Sequence, residues 1–403
     1  AGIESDVTPQ FAGQNLPEWD LNYEIIEVDP EELGNDTVFA TPGSTATVTG
    51  ALGYAYRDYQ IWAETVELNV TDFAVRPVRA AEADEFTIAT QNIENFFDLV
   101  DDPDRDDATF EDYVPATEEV YALRLQKVSA QIREVLNAPD IVALQEIENE
   151  NTLNDLISQI QSDDPAIVYE GCIFEGNDGR GIDNGYLVRQ GRVEILDCYR
   201  MPGSLTEPGV FGGTLYGRPP LVLDAALIQD DMLLPITVIN LHIKSLSGIE
   251  QNVTQQRRLA QAQGIAAYVQ ERLTENPDVQ LIVAGDLNAF PFSDGLVNVA
   301  GVISGEYEVG DALVSPEAAP VGDPILINQV MRVPEADRYS YIFNSTSQVL
   351  DHILTTANLD ALITDVQFSR GNADALYTFA ESDASAMRSS DHDGFVIYLR
   401  FSE

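Results

Sequence analysis

From Phe86 onward, apolar runs of strand length alternate with segments of helical period. The runs predict strands over Phe86–Asn92, Asp140–Gln145, Leu221–Ile228, Ile236–Leu241, Gln280–Gly285, Val349–Thr355 and Phe395–Phe401. Tyr121, Leu125, Val128, Ile132 and Val135 recur at helical spacing, and Thr117 ahead of Glu118 and Glu119 marks a helix start. Ala262, Ala266, Val269 and Leu273 form a second helical stripe that stops before Asn276-Pro277. The mix predicts an α+β fold, an α/β sandwich of two packed mixed β-sheets flanked by helices.

Residues 1–80 read differently. They carry β-type runs such as Ala46-Thr47-Val48-Thr49 and Tyr59-Gln60-Ile61-Trp62, broken by Pro42-Gly43 and Gly50, with no convincing helical period. Residues 79–85 read as a linker or an entry loop. The expected organisation is a small β-rich domain over 1–80 and a larger domain over 86–403, which suits a chain of 403 residues. No apolar run reaches membrane-spanning length. The polar start Ala1-Gly2-Ile3-Glu4-Ser5 fits a mature end left after cleavage.

Charge changes the picture. The net charge is −47, from 68 acidic and 21 basic residues, and Lys127 and Lys244 are the two lysines. Such a surface repels itself at low salt, so it points to a halophilic, marine or cation-rich setting. It also excludes a passive nucleic-acid coat protein, which needs a basic footprint. Cys172 and Cys198 are either a disulfide or two buried thiols. The strand-like runs beside them favour the bridge, and with it an extracellular location.

The candidate chemistry lies where strands end. Six runs deliver polar groups at or near an end: Asn92-Ile93-Glu94-Asn95, Gln145-Glu146, Asn240-Leu241-His242, Gly285-Asp286-Leu287-Asn288, Asp351-His352 and Ser390-Asp391-His392. Gathering such groups in a core is unfavourable unless a cation or a substrate satisfies them. Phosphodiester hydrolysis asks for these types: oxygen ligands for a hard cation, a base for water, and donors for phosphate oxygens.

In this order the motifs resemble those of the endonuclease/exonuclease/phosphatase superfamily, which includes pancreatic-type deoxyribonuclease, abasic-site endonucleases and sphingomyelinases. The resemblance runs over roughly residues 86–403 and is nearest to bacterial extracellular endonucleases. It is carried by Asn92-Ile93-Glu94-Asn95-Phe96-Phe97-Asp98, Asn240-Leu241-His242-Ile243-Lys244-Ser245 and Gly285-Asp286-Leu287-Asn288-Ala289-Phe290. It implies that Glu146 is the main metal ligand and that Asn92, Glu94 and Asp391 complete the metal site. Asp286 orients or deprotonates the attacking water, and Asn288 holds water and phosphate. His392 contacts the phosphate or acts as base or acid, with Asp351 fixing its tautomer. His242 is a second catalytic histidine, paired with Asp183. Arg218 contacts phosphate. In this family a small β-rich domain often precedes the catalytic one, and Gly50 to Trp62 resembles an OB-type strand pair.

Lesser expectations complete the reading. Arg180, Arg189, Arg192, Arg200 and Arg218 cluster within about forty residues and are expected to line a substrate groove. Lys244 shares a strand face with His242 and is either a phosphate contact or a surface lysine. His352 points away from Asp351 and is structural. Arg257 and Arg258 are expected to be solvated. The acidic run Asp98 to Asp112 is either a structural Ca²⁺ site or a solvated loop. The expected function is a secreted, Mg²⁺- or Mn²⁺-dependent endonuclease acting on DNA, and RNA too, with no protein partner evident. Two alternatives stand beside it. One is a phosphodiesterase or phosphatase of a small molecule or lipid headgroup; the other is a non-catalytic Ca²⁺-binding adhesive protein. An aromatic membrane hairpin, which a sphingomyelinase would carry, is not expected between Asp286 and Asp351.

Overall fold

In the computed structural model two six-stranded sheets face each other across a continuous apolar core. The structure describes residues 7–9, 17–19, 26–41, 43–55, 58–71, 74–100, 114–318, 320, 325–343 and 346–401.

Five strands come first: β1 (Val7–Pro9), β2 (Pro17–Trp19), β3 (Glu27–Asp29), β4 (Thr45–Ala55) and β5 (Asp58–Asn69). β1 and β2 pair, and β3, β5 and β4 form a separate three-stranded sheet. β4 and β5 make a long antiparallel hairpin in which a Cβ at Gly50 would overlap Trp62 O. Residues 79–85 are tied to the larger domain. Arg79 Nε donates to Asp365 Oδ2 (2.7 Å), and its guanidinium pairs with Glu85 at 2.6 Å. That guanidinium holds the Glu85 carboxyl down at about 2.

The first sheet of the sandwich runs β18-β19-β6-β7-β9-β8. Its strands are β6 (Phe86–Phe96), β7 (Ile141–Ile147), β8 (Tyr169–Ile173), β9 (Asp183–Arg189), β18 (Ile363–Phe368) and β19 (Phe395–Leu399). The second runs β10-β11-β12-β13-β17-β14. It is built from β10 (Val193–Arg200), β11 (Leu221–Gln229), β12 (Met232–His242), β13 (Leu281–Asp286), β14 (Ile327–Asn328) and β17 (Asp351–Thr355). β15 (Tyr341–Phe343) and β16 (Thr346–Gln348) form a small hairpin apart from both.

The central strands are apolar throughout because both faces are covered. Ile88, Tyr186, Leu223, Val238, Ile353 and Ile397 meet between the sheets. Their neighbours Ala89 and Val142 face α1 (Glu118–Ala130) and α2 (Glu150–Asp163). Val222, Ile239 and Val283 face α3 (Asn252–Glu275) and α4 (Val299–Ser304). A short α5 (Ala357–Asp360) follows β17. α1 starts at Thr117, whose side chain accepts from Val120 N, as its sequence predicts. β9, β18 and α2 were not expected, while β8 and β10 lie at the strand-like runs beside the cysteines. β8, β10 and β18 are partly exposed edge strands, and β9 opens on Asp183-Asn184-Gly185, which reads as a turn.

Topology places the site. β6 and β7 are parallel, and so are β12 and β13, so each pair delivers its carboxyl ends on one side. Asn92 pairs with Gln145, His242 with Asp286, and Asp286 with Asp351 across antiparallel β17. Beneath this edge the sheets are tied by polar groups. Gln145 Nε2 donates to Asn240 Oδ1 (2.7 Å), and Asn240 Nδ2 donates to Leu144 O (2.8 Å) and Gly185 O (2.9 Å). The two cysteines are bridged, with Cα atoms 6.7 Å apart. Since β8 and β10 are the edges of the two sheets, the bridge joins the sandwich along one side.

Candidate active site

β6 does not stop at Asn92. The chain bulges there, and Glu94 (φ 52°) and Asn95 (φ 44°) take left-handed backbone before pairing resumes at Phe96. The bulge turns Asn95 N toward Glu146 Oε2 (2.8 Å). Glu146 (φ 68°) and Asn288 (φ 46°) share this backbone state. A left-handed non-glycine residue costs about 1–3 kcal/mol, and such strain gathers where geometry is over-determined. Gly285 (φ 142°) lets β13 approach β12, since a Cβ there would overlap Leu241 O.

The side chains converge on Asp286. Asn92 Nδ2 donates to Asp286 Oδ2 (3.2 Å) and lies 3.4 Å from Glu146 Oε1, while Asn92 Oδ1 accepts from Glu94 N (2.9 Å). His242 Nε2 stands 3.4 Å from Asp286 Oδ2 and 3.7 Å from Glu146 Oε1. Asn288 N donates to the other Asp286 oxygen at 2.7 Å. On the far side His392 Nδ1 donates to Asp351 Oδ2 (2.7 Å), leaving Nε2 4.0 Å from both Asp286 Oδ2 and Asp391 Oδ1. The Tyr341 ring packs on the His392 imidazole with centroids 4.8 Å apart.

This environment splits the histidines. Burial, with Arg218 and Arg180 nearby, pushes His242 well below its usual pKa, so it stays neutral. Burial also opposes charge on His392, but Asp351, Asp391 and Asp286 outweigh it and raise its pKa well above normal. Burial and the Asp351 and Glu146 carboxylates raise Asp286 to about 7, against the pull of His392. Glu94 is raised by burial and by Asp391, with Arg124 and Arg388 opposing.

A cleft of about 1580 Å³ opens over these groups. One wall is basic, with Arg180, Arg218 and Lys244. Asp178 holds it in place: Arg218 Nη1 donates to Asp178 Oδ2 (2.5 Å), and Asp178 Oδ1 accepts from Arg180 N (2.9 Å). Arg180 also donates to Asn95 Oδ1 at 2.9 Å. The other wall is apolar, with Phe290, Leu296, Leu313, Phe343 and Leu350. Phe343 belongs to the β15–β16 hairpin and is half exposed.

Glu146, His242, Asp286, Asn288, Asp391, His392, Arg180, Arg218 and Lys244 therefore line one cleft. Asn92, Asp351 and Asp183 are buried beneath it. Asp183 heads β9 opposite Ile147, one residue past Glu146. The charges acting most on Glu94 are Asp391 and Arg124, which sets it on the His392 side of the site. His352 is structural as expected: its Nε2 donates to Ala289 O (2.7 Å), and its Nδ1 accepts from Asn328 Nδ2 (3.0 Å).

Three expectations fail. Arg189 and Arg192 sit at the opposite end of the sandwich, because β9 carries the chain about 20 Å from the site in seven residues. There Arg189 donates to Ala138 O (2.9 Å) and Arg192 to Asp140 Oδ1 (2.8 Å). Arg200 donates to Glu175 O (3.0 Å) and lies over the Phe174 ring rather than in the groove. Arg257 and Arg258 are not solvated. Arg257 donates to Leu215 O (3.0 Å); Arg258 is fully buried and donates to Lys244 O and to Asn288 O (2.7 Å). Arg258 thus braces two cleft segments. A helical arginine gives no such signal in sequence. Nor does Tyr341, whereas Asp178 in Asn177-Asp178-Gly179 is legible as a turn acid.

The donor set suits a hard divalent cation. Glu146 Oε1 and Asp286 Oδ2 are hard oxygen donors that share two N–H neighbours, Asn92 Nδ2 (3.4 and 3.2 Å) and His242 Nε2 (3.7 and 3.4 Å). Among the described residues no three acid or histidine side chains close into a full metal cage. One or two carboxylates, with water and phosphate as the remaining ligands, is how Mg²⁺ is commonly held. Of the acidic run, Asp101 to Asp112 lies outside the described residues, and so does the expected Ca²⁺ site. No helix among the described residues is long and apolar enough to cross a membrane.

The profile of the Endonuclease/Exonuclease/phosphatase family matches residues 87–365. No curated protein sequence matches the chain. Three solved structures are similar to it at 16% identity. An endonuclease/exonuclease/phosphatase family protein from Bacteroides thetaiotaomicron aligns with TM-score 0.48, covering 79% of this chain and 98% of that one. The human Nocturnin catalytic domain with bound sulfate aligns with TM-score 0.48, covering 80% and 97%. D. rerio TDP2 complexed with single strand DNA product aligns with TM-score 0.46, covering 79% and 99%.

Proposed function

The chain belongs to the endonuclease/exonuclease/phosphatase family, and from that premise we propose that its cleft hydrolyses the phosphodiester bonds of DNA, and of RNA too, with Mg²⁺ or Mn²⁺ bound at Glu146. Members of this family are typically hydrolases acting on phosphodiester bonds. One observation carries the reading. His242 and His392 flank Asp286, their Nε2 atoms 3.4 Å and 4.0 Å from Asp286 Oδ2, in a cleft that Arg180, Arg218 and Lys244 also line.

The residues divide the work as follows. Arg218, Arg180 and Lys244 hold the phosphates of the bound strand. Asp286 takes the proton of the attacking water, and burial beside Asp351 and Glu146 makes its carboxyl a stronger proton acceptor than an ordinary aspartate. Asn288 holds that water beside Asp286. Protonated His392 donates through Nε2 to a phosphate oxygen as charge develops there. Asp351 fixes its tautomer and keeps the imidazolium in place. Neutral His242 donates its one ring N–H through Nε2, which faces Asp286 and Glu146. Glu146, with Asn92, Glu94 and Asp391 in support, would hold the divalent cation, which would supply positive charge against the phosphate.

Two further features support the wider reading. A disulfide joining the sheet edges suits an oxidising, extracellular location. A basic wall in a chain of net charge −47 gives a polyanion one place to bind. The apolar opposite wall favours a second reading, a phosphodiester with a large apolar group such as a lipid headgroup substrate. The intact acid, amide and histidine set speaks against a non-catalytic Ca²⁺-binding adhesive protein.

A substrate panel separates these. Plasmid DNA, single-stranded DNA, RNA, bis-p-nitrophenyl phosphate and sphingomyelin are each assayed with Mg²⁺, Mn²⁺ and Ca²⁺ across a salt series. The proposal predicts cleavage of DNA and no turnover of sphingomyelin. Turnover confined to sphingomyelin, or to the small diester, would reverse it.

A further inference from the structure

Helix α1 sends two cations into backbone rather than into solvent. Arg124 and Lys127, three residues apart, share one helix face. Arg124 donates through Nη2 to Ile93 O (2.6 Å) and Glu94 O (2.7 Å), and through Nη1 to Ser389 O. Lys127 is fully buried. Its Nζ faces four carbonyl oxygens, those of Phe379 (3.1 Å), Asp383 (3.2 Å), Ser385 (2.9 Å) and Met387 (2.6 Å).

Those carbonyls belong to residues 377–388, whose regular structure is one short turn over Tyr377–Phe379. The segment runs directly into Ser389, Ser390, Asp391 and His392. Its end is tightly specified: Arg388 takes φ 55°, Ser390 Oγ donates to Asn92 O (2.6 Å), and Ser390 Oγ accepts from His392 N (3.0 Å). Inward-facing carbonyls need donors. An ammonium supplies three N–H groups from one point and can serve converging acceptors, whereas a guanidinium is a flat fork with its donors spread. This chain uses lysine twice among its 21 basic residues, and one of the two stands here.

We propose that Lys127 is a positioning residue for the hydrolytic site. Its ammonium gathers the carbonyls of residues 377–388 so that Asp391 and His392 stand where the reaction needs them. Arg124 joins that segment to the Asn92–Asn95 bulge, so one face of α1 sets the spacing between the two halves of the site. The inference rests on the reading of His392 as the group that touches phosphate.

Lys127→Met and Lys127→Arg are compared with wild type on bis-p-nitrophenyl phosphate with Mg²⁺, and amide hydrogen exchange is followed by mass spectrometry. Small displacements of a reacting group cost up to about 100-fold in rate. The expected result is a kcat lower by roughly 10- to 100-fold with KM within about twofold. Exchange should quicken at residues 389–393 as well as at 377–388. Wild-type kcat in either variant, or faster exchange confined to 377–388, overturns the proposal. Should the Met variant fail to fold, the Arg variant, which keeps the charge but not the point geometry, decides alone. His392→Gln is assayed in parallel. If that variant keeps full turnover, the reading of the site has failed, and exchange at 389–393 still judges Lys127.

Discussion

His392 Nδ1 lies 2.7 Å from Asp351 Oδ2, with both side chains almost wholly buried. The contact fixes the orientation of the ring and turns Nε2 toward Asp286. It also holds the imidazole charged where burial alone would neutralise it. Replacing the carboxylate by an amide keeps the shape but removes the charge, and the amide offers its own N–H to Nδ1. Asp351→Asn should therefore lower kcat by about 10³- to 10⁴-fold, the size of the loss when a histidine's orienting carboxylate becomes an amide elsewhere. KM should change little. Steady-state kinetics on bis-p-nitrophenyl phosphate checks this, and an unchanged kcat removes Asp351 from the account.

Asp286 should make the metal-free protein less stable as pH rises. Its folded pKa, about 7, lies above the ordinary 3.8. The folded state therefore favours the protonated carboxyl. That stabilisation is complete below pH 3.8 and is lost as pH rises through 7. Thermal midpoints measured with chelator at pH 4 and pH 8 should show Asp286→Asn equal to wild type at the lower pH and above it at the higher. Added Mg²⁺ should raise the wild type at pH 8 more than the variant. An equal gap at both pH values means that ionisation of Asp286 is not the cause.

The cleft end of the sandwich and its opposite end should behave differently. Arg218→Ala, at the cleft, should raise KM for DNA about tenfold, the value of one charge-assisted contact to phosphate. Arg192→Ala should leave KM unchanged, since Arg192 pairs with Asp140 and lies over the Phe86 ring far from the site. Kinetics at fixed salt compares them, and equal effects would discard the groove assignment.

Much of this was legible in the sequence and some was not. The apolar runs ending in Asn92, Glu146, His242, Asp286 and Asp351 could be read because each strand buries both faces and then meets a polar cluster. Edge strand β18 could not, since one side of it is open and its pattern is mixed, and β8 and β10 were legible only as short strand-like runs beside the cysteines. Arginine number was legible, but arginine destination was not. Arg180 and Arg218 reach the cleft, while Arg192 is carried away by β9 and Arg258 is buried from a helix. Local pattern does not encode which carbonyl a long side chain will meet. The Lys127 cage is the same case, because its four acceptors lie about 250 residues further along the chain.

The bridge between Cys172 and Cys198 closes a sequence separation of 26 residues. Chain-entropy arguments give a loop of that size about 3 to 4 kcal/mol of stability. Cys172→Ser with Cys198→Ser should lower the unfolding free energy by about that amount in denaturant titrations. Because the bridge spans the sheet edges and not the cleft, kcat should hold. A large loss of kcat in the folded variant would place the edge within the working site.

Plasmid nicking by the wild type and His392→Gln, with Mg²⁺ or with chelator, tests the central claim most directly. The account predicts relaxed and linear DNA from the wild type with Mg²⁺, none with chelator, and none from His392→Gln under either condition. Nicking by His392→Gln at the wild-type rate, or by the wild type in chelator, would contradict it.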